Sequence, residues 1–198
     1  MTLNYENFIG VYDDLYPAGY CAHLISEFDR LEVNNIGANR QKSEQANKHA
    51  KDDYQIGING KNVLIAPFQG NNSLDVFFEG VQKCYDAYTE KYSVLKDSKI
   101  RGDAMKMQRT GSGGGYHLWH SEQGNGPFAN RVLVYMLYLN TLRPESAGET
   151  EFLYQQKRYN PIENRLIVWP AAYTHAHRGN AVFGEQSKYI VTGWFYYD

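Results

Sequence analysis

The stretch Arg131-Val132-Leu133-Val134-Tyr135-Met136-Leu137-Tyr138-Leu139-Asn140 limits the possible folds of this chain more than any other. It is an unbroken apolar run of strand length with no solvent-facing side, so it reads as a strand buried on both faces. Such a strand needs a layer of structure on each side. Downstream, Thr150 to Tyr154, Arg165 to Trp169, Thr174 to Arg178 and Lys188 to Tyr197 read as further strands between turn-forming residues, and no helix-length pattern interrupts them. Upstream, the spacing changes to helical. Tyr20, Cys21, Leu24, Ile25, Phe28 and Leu31 predict a helix over Pro17 to Leu31, and Leu74, Phe77, Phe78, Val81, Cys84, Tyr85, Tyr88 and Tyr92 predict another over Ser73 to Leu95, capped by Ser73 or Asn72. Helices followed by a series of short strands predict an α+β fold, with the helices packed on one sheet of an antiparallel double-sheet barrel.

Between the helices, Asn59-Gly60 joins two apolar runs, Tyr54 to Ile58 and Asn62 to Pro67, and predicts a hairpin through a type I′ turn. Val33 to Lys51 is polar and without apolar period, and leaves open a frayed helix, a loop or a lid over Asn34 to Lys51. Met105 and Met107 alternate with polar neighbours, as in a strand with one buried face. The 198 residues fit one domain, 1–198, in which 1–100 is helical and hairpin support and 101–198 is the strand core. Seventeen tyrosines suit strands and a lined cavity. Twenty basic against 22 acidic residues, with no charged block, give no sign of nucleic-acid binding. Cys21 and Cys84 fall on apolar helical faces and read as reduced, buried thiols. A polar Met1 to Glu6 and the lack of a membrane-length apolar run lead to the expectation of a cytoplasmic protein that does not enter the membrane.

The chemistry is concentrated in Gly113-Gly114-Gly115-Tyr116-His117-Leu118-Trp119-His120-Ser121-Glu122. If this stretch is extended, His120 and Glu122 project from the same face. On its own a His-x-Glu is as readily a solvated strand end. Tyr173-Thr174-His175-Ala176-His177, however, offers a further imidazole, from His175 or His177. Two neutral imidazoles and one carboxylate on one face of an octahedron leave three positions open, the arrangement of non-haem Fe(II) oxygenase centres.

Four pieces in order, covering roughly Met105 to Trp194, resemble the prolyl 4-hydroxylase-like branch of the 2-oxoglutarate- and Fe(II)-dependent dioxygenases. The glycine-rich segment ending His120-Ser121-Glu122 is similar to that family's metal-binding His-x-Asp segment, and Arg131 to Asn140 to its core strand. Gly148-Glu149-Thr150-Glu151-Phe152 resembles its Gly-Gly-x-Thr-x-Phe strand. His177 to Lys188 with Thr192-Gly193-Trp194 resembles its distal His, basic residue and closing Trp strand. The resemblance implies a double-stranded β-helix (jelly-roll) core, an Fe(II) centre on His120, Glu122 and His177, and 2-oxoglutarate and O2 as co-substrates, with room for ascorbate. It implies that Lys188, with Tyr138 and Thr192, meets the far carboxylate of 2-oxoglutarate, and it makes Arg131, Trp119 and Trp194 candidates for the substrate pocket. The implied reaction is hydroxylation of an unactivated C–H bond coupled to decarboxylation of 2-oxoglutarate to succinate. A peptidyl proline is the family-based guess for the substrate, and a small molecule stays open. Glu122 departs from the family's usual Asp, which leaves a non-catalytic jelly-roll or cupin-like binding module as the alternative.

Overall fold

The computed structural model describes residues 1–59 and 74–198. The second run of the expected hairpin, with the turn after Asn59, and the capping residues Asn72 and Ser73 lie outside the described residues. Among the described residues one sheet has eight strands: β1 (Thr2–Glu6), β2 (Ile9–Asp13), β11 (Arg165–Pro170), β8 (Arg131–Tyr138), β13 (Lys188–Tyr197), β6 (Ile100–Thr110), β5 (Tyr54–Asn59) and β3 (Ala38–Asn39), in that spatial order. A second sheet runs β10 (Lys157–Tyr159), β9 (Thr150–Phe152), β12 (His177–Gly179), β7 (Gly115–His120) and β4 (Lys51–Asp52). Neighbouring strands in both pair antiparallel. The fold is the α+β double-stranded β-helix, with its helices on one sheet.

β8 occupies the middle of the large sheet, between β11 and β13, as its apolar run requires. Successive side chains alternate across a strand. Leu133, Tyr135 and Leu137 therefore enter one core with Leu24, Phe28, Phe77 and Val81 of the helices α1 (Tyr20–Val33) and α2 (Leu74–Lys91). Val134, Met136 and Tyr138 enter the other, with Phe152 and Trp169, between the sheets. The helix-side tyrosines bury rings and still satisfy their hydroxyls: Tyr16 donates to Phe77 O at 2.8 Å and Tyr88 to Phe8 O at 2.7 Å. No helix among the described residues is long and apolar enough to cross a membrane. Cys21 and Cys84 are free and buried, and burial pushes the Cys21 thiol up to about 12.

Three local differences from expectation have physical causes. α1 starts at Tyr20 rather than Pro17, because Gly19 takes a left-handed conformation (φ 85°) at the helix entrance. The polar stretch 33–51 resolves into the short strands β3 and β4 and a 3₁₀ turn at Arg40–Lys42, held by pairing with β5 and β7. The Thr2–Asp13 hairpin, absent from the sequence reading, is paired through β2 to β11.

Gly193 of β13 lies opposite Tyr135 of β8, and a Cβ built there would come within 2.1 Å of the Tyr135 ring. Tyr135 is fully buried between the sheet and α2, so its ring has no free space to move into. Gly193→Ala should lower stability by about 3 kcal/mol, at the upper end of overpacking costs, in urea unfolding. Gly57→Ala, where nothing lies within 4 Å of the new carbon, should cost less than about 1 kcal/mol.

Candidate active site

The site is built where β7, β12 and the turn after β7 meet. His177 opens β12 and lies opposite His120 in the pairing with β7, with ring centroids 4.3 Å apart. β7 ends at His120, so Glu122 does not reach the site by strand alternation. Instead the N–H groups of Glu122 and Gln123 both donate to Ala171 O, at 3.1 and 2.8 Å, and the turn they close delivers the carboxylate. His120 Nε2 and His177 Nε2 lie 3.4 and 3.7 Å from Glu122 Oε1. One donor atom from each of the three residues falls within 4.8 Å of the others.

The far sides of these groups are already engaged. His120 Nδ1 is 3.0 Å from Leu118 O, and His177 Nδ1 is 2.9 Å from His175 O. A carbonyl only accepts, so in each neutral ring the proton sits on Nδ1 and Nε2 keeps a lone pair facing the centre. Burial lowers the pKa of His120, which favours that neutral form. Burial alone would raise the Glu122 carboxyl, but when the facing His120 and His177 also carry a proton on Nε2, in place of a metal, they hold it well below the usual carboxylate range. Its second oxygen, Oε2, accepts from Arg131 Nη1 at 3.0 Å and Trp194 Nε1 at 2.9 Å. The Arg131 guanidinium is itself stacked between the rings of Trp194 and Phe128, 4.1 and 4.4 Å from their centroids. Oε1 is thereby left for the centre. Cis ligands ~2.1 Å from an octahedral metal stand about 3 Å apart, so these three residues could hold a divalent ion with small side-chain movement.

The triad opens into a cavity of about 450 Å³. Lys188 lines its deep part, buried, with its ammonium donating to Gly148 O at 2.8 Å. Burial pushes its pKa down to about 8. Tyr138 stands one layer behind, its hydroxyl donating to Thr150 Oγ1 at 2.7 Å, and Thr150 faces the cavity. Thr192 also lines the wall. Arg131 and Trp194 line the cavity too, but Arg131 Nη1 and Trp194 Nε1 are both directed at Glu122. Trp119 follows the alternation of β7 and faces away from His120. It lies outside the cavity, beneath the Arg178 guanidinium at 4.5 Å. His175 is turned off as well, toward Asn7 O at 2.9 Å and Thr174 Oγ1 at 3.1 Å, so the geometry selects His177.

Several lining residues had no place in the sequence reading. Tyr116 stacks on the His120 ring at 3.6 Å between centroids, and Lys51 lies 4.6 Å over the Tyr116 ring. Asp53, buried, gathers Arg40, Lys51 and Gln108. Lys106, Gln108 and Thr110 line the cavity from one face of β6. The alternation of Met105 and Met107 with polar neighbours carried that signal, since the polar side of the strand faces a cavity rather than solvent.

Fold and site together define the jelly-roll type of non-haem metal centre, with two imidazoles and a carboxylate on one side and open space on the other. Residues 105–196 match the family model of the 2OG-Fe(II) oxygenase superfamily, whose cofactors are Fe(II), 2-oxoglutarate and O2. The chain shares its fold with solved prolyl hydroxylases. A viral collagen prolyl hydroxylase of Paramecium Bursaria Chlorella virus-1, in a 2-oxoglutarate complex, is 14% identical, with 97% of each chain covered and a TM-score of 0.69. A Pseudomonas putida prolyl-4-hydroxylase is 16% identical over 96% of this chain and 93% of its own, with a TM-score of 0.72. A Trichoplax adhaerens prolyl hydroxylase, in complex with a peptide fragment of the hypoxia inducible factor oxygen degradation domain, is 16% identical over 96% and 84%, with a TM-score of 0.73. No curated protein sequence matches the chain.

Anaerobic calorimetry with Fe(II) checks the donor set. Glu122→Ala and His177→Ala should each weaken binding by roughly 100-fold or more, beyond what loss of a supporting partner costs. His175→Ala should leave it within about threefold, because the His177 ring is held by the main-chain carbonyl of residue 175, which any side chain preserves.

Proposed function

We propose that this protein is an Fe(II)- and 2-oxoglutarate-dependent oxygenase that hydroxylates an unactivated C–H bond, with a prolyl residue as the first substrate to test. The observation that carries this reading is Lys188. A buried ammonium with one carbonyl partner and no carboxylate within ion-pair distance among the described residues, in the same cavity as the His120, Glu122 and His177 triad, is offset only at longer range, by Glu149 and Asp53, until an anion arrives. The far carboxylate of 2-oxoglutarate is such an anion, and its 2-oxo-acid end suits the open side of the triad. Neither a cupin-like metal site nor a plain binding module needs a cation at that depth.

In this reading His120, Glu122 and His177 hold Fe(II). When bound, the iron supplies the redox chemistry that converts 2-oxoglutarate, O2 and R–H into succinate, CO2 and R–OH. The protein's own part is placement. Arg131 and Trp194 fix the Glu122 carboxylate so that one oxygen points at the centre, and Tyr116 holds the His120 ring by stacking. Lys188 receives the far carboxylate, with Thr150 beside it oriented by Tyr138. Apolar lining from Met136, Ile190 and Trp169 lowers the local dielectric and strengthens these contacts. The peptide seen on the Trichoplax adhaerens structure supports a prolyl peptide as the first substrate to try.

Fe(II)-dependent succinate formation from 2-oxoglutarate is the direct test, and its absence in the wild-type protein would refute the reading. Glu122→Asp should reduce it despite restoring the family's usual residue. The Arg131 and Trp194 donors are set for a carboxylate one methylene further out, and the shorter chain must forgo either them or the metal. Lys188→Ala should weaken 2-oxoglutarate binding roughly 30-fold or more, as expected when one partner of a buried charged pair is removed, while sparing Fe(II) affinity.

The same amine sets a pH dependence. The lowered pKa means that Lys188 in the ligand-free protein is protonated below about pH 8 and neutral above it. The carboxylate pairs with the protonated form, so affinity for 2-oxoglutarate should be highest below pH 8 and fall by up to about tenfold per pH unit above it. Calorimetry across pH 6.5–9.5 (about the range in which a lysine with so low a pKa titrates) should show this fall in the wild type and not in Lys188→Ala.

A further inference from the structure

The cavity holds more positive charge than the triad and the co-substrate use. Its lining carries six cations, from Arg40, Lys51, Lys106, Arg131, Arg178 and Lys188. Most are matched. Arg131 is paired with Glu122, Arg178 with Glu151, and Arg40 and Lys51 share Asp53. Lys188 awaits the far carboxylate of 2-oxoglutarate. Lys106 alone has neither a hydrogen bond nor an ion pair among the described residues, and its closest aromatic contact is the Trp194 ring, 5.2 Å from the ammonium. Lys106 is half-buried in the cavity wall, and a cation–π contact of that kind, about 0.5–2 kcal/mol, does not fully offset the partial withdrawal of its charge from water. The chain nevertheless puts a lysine there. Burial and the neighbouring Lys51 cation push its pKa down to about 7, with Arg40 acting in the same sense and Glu122 and Asp53 opposing.

Its position separates it from the co-substrate's far end. Lys106 pairs across the sheet with Thr192, and Thr110, four residues on, pairs with Lys188. The two lysines therefore leave the sheet roughly 13 Å apart along the strand direction. Lys106 stands at the end of the cavity marked by Trp194, whose indole N–H holds Glu122. An anion bound there lies near the metal centre, on a ligand other than the carboxylate that Lys188 receives.

We propose that the substrate carries a carboxylate adjacent to the C–H bond that is hydroxylated, and that Lys106 is the specificity-determining residue that receives it. This rests on the oxygenase reading and narrows its substrate class from C–H compounds in general to acids. The carboxylate could be the α-carboxylate of a small amino-acid derivative or the side chain of an acidic residue beside the target in a peptide. The modest cavity, which must also hold 2-oxoglutarate, favours the small acid.

The test compares acids with their neutral amides on the protein loaded with 2-oxoglutarate. N-acetyl-L-proline against N-acetyl-L-prolinamide, and the same pair for each other proteinogenic amino acid, form the small-molecule arm. Blocked Gly-Pro-Gly against blocked Glu-Pro-Glu forms the peptide arm. Stimulation of 2-oxoglutarate consumption is read with Fe(II), and binding is read by calorimetry with redox-inert Mn(II). In the wild type at least one acid should exceed its amide by about tenfold or more, the factor expected of a charge-assisted hydrogen bond. Lys106→Met should abolish that preference, and Lys106→Arg should retain much of it.

An acid–amide difference absent from every pair, or one that persists in Lys106→Met, overturns the proposal. A fall in 2-oxoglutarate affinity in Lys106→Met also overturns it, by assigning the lysine to the co-substrate. Failure of the oxygenase reading shows separately, as no substrate-free succinate formation in the wild type, while the calorimetric comparison of acids and amides still reports on Lys106.

Discussion

The centre depends on how one carboxylate is held. Glu122 lies beyond the end of β7, where no ladder constrains it, and its position comes from three sources on three elements. The carbonyl of Ala171 accepts two consecutive N–H groups of the turn. Arg131, at the start of β8, and Trp194, on β13, both donate to one carboxylate oxygen. Two charge-assisted or indole hydrogen bonds to one oxygen leave the other oxygen facing the centre beside the two imidazole lone pairs. A glutamate has one more rotatable bond than an aspartate, and that freedom needs such bracing. The stack of Phe128, Arg131 and Trp194 supplies it by limiting the motion of the guanidinium that does the holding.

The imidazoles are fixed by different means. Both direct Nδ1 at a main-chain carbonyl two residues upstream, at Leu118 and His175, so each ring is oriented by its own local backbone. This is cheap in sequence terms, because it requires no particular side chain. It also explains why His175 can be spent elsewhere, on the Asn7 carbonyl between the N-terminal hairpin and the site.

Much of this architecture was legible in the sequence where burial is uniform or strictly alternating. The apolar run Arg131 to Asn140 reads as an interior strand and forms one over Arg131–Tyr138, and Lys188–Tyr197 coincides with its expected span. The helices were readable from their apolar spacing, with end-point errors set by Gly19 at one end and by a 3₁₀ turn, Ser93–Leu95, at the other. The Thr2–Asp13 hairpin was not readable. Its first strand, Thr-Leu-Asn-Tyr-Glu, is polar and exposed and is placed by pairing rather than by burial. Of the site, the ligand types and the deep lysine were visible as a motif. What Arg131, Trp194 and Trp119 touch was not, since three-dimensional contacts decide whether a side chain next to a motif faces the cavity, the ligand or the outside. Lys106 was hidden for a related reason: a polar residue on an alternating strand looks the same whether it faces water or an enclosed chamber.

β8 serves as a common wall. Tyr135 leans on α2 and Met136, the next residue, on the chamber beside the metal centre, so the two compartments are separated by a single backbone thickness. A register slip of one residue would exchange the occupants of the two rooms, placing Tyr135 in the reaction chamber and Met136 among the helices. Evolution of the helical layer is therefore not free of the catalytic chamber. Changes that reshape the packing under α2 are transmitted through the pleat, and the same holds on β6, where Lys106, Gln108 and Thr110 face the chamber while Met105 and Met107 pack in the helical core.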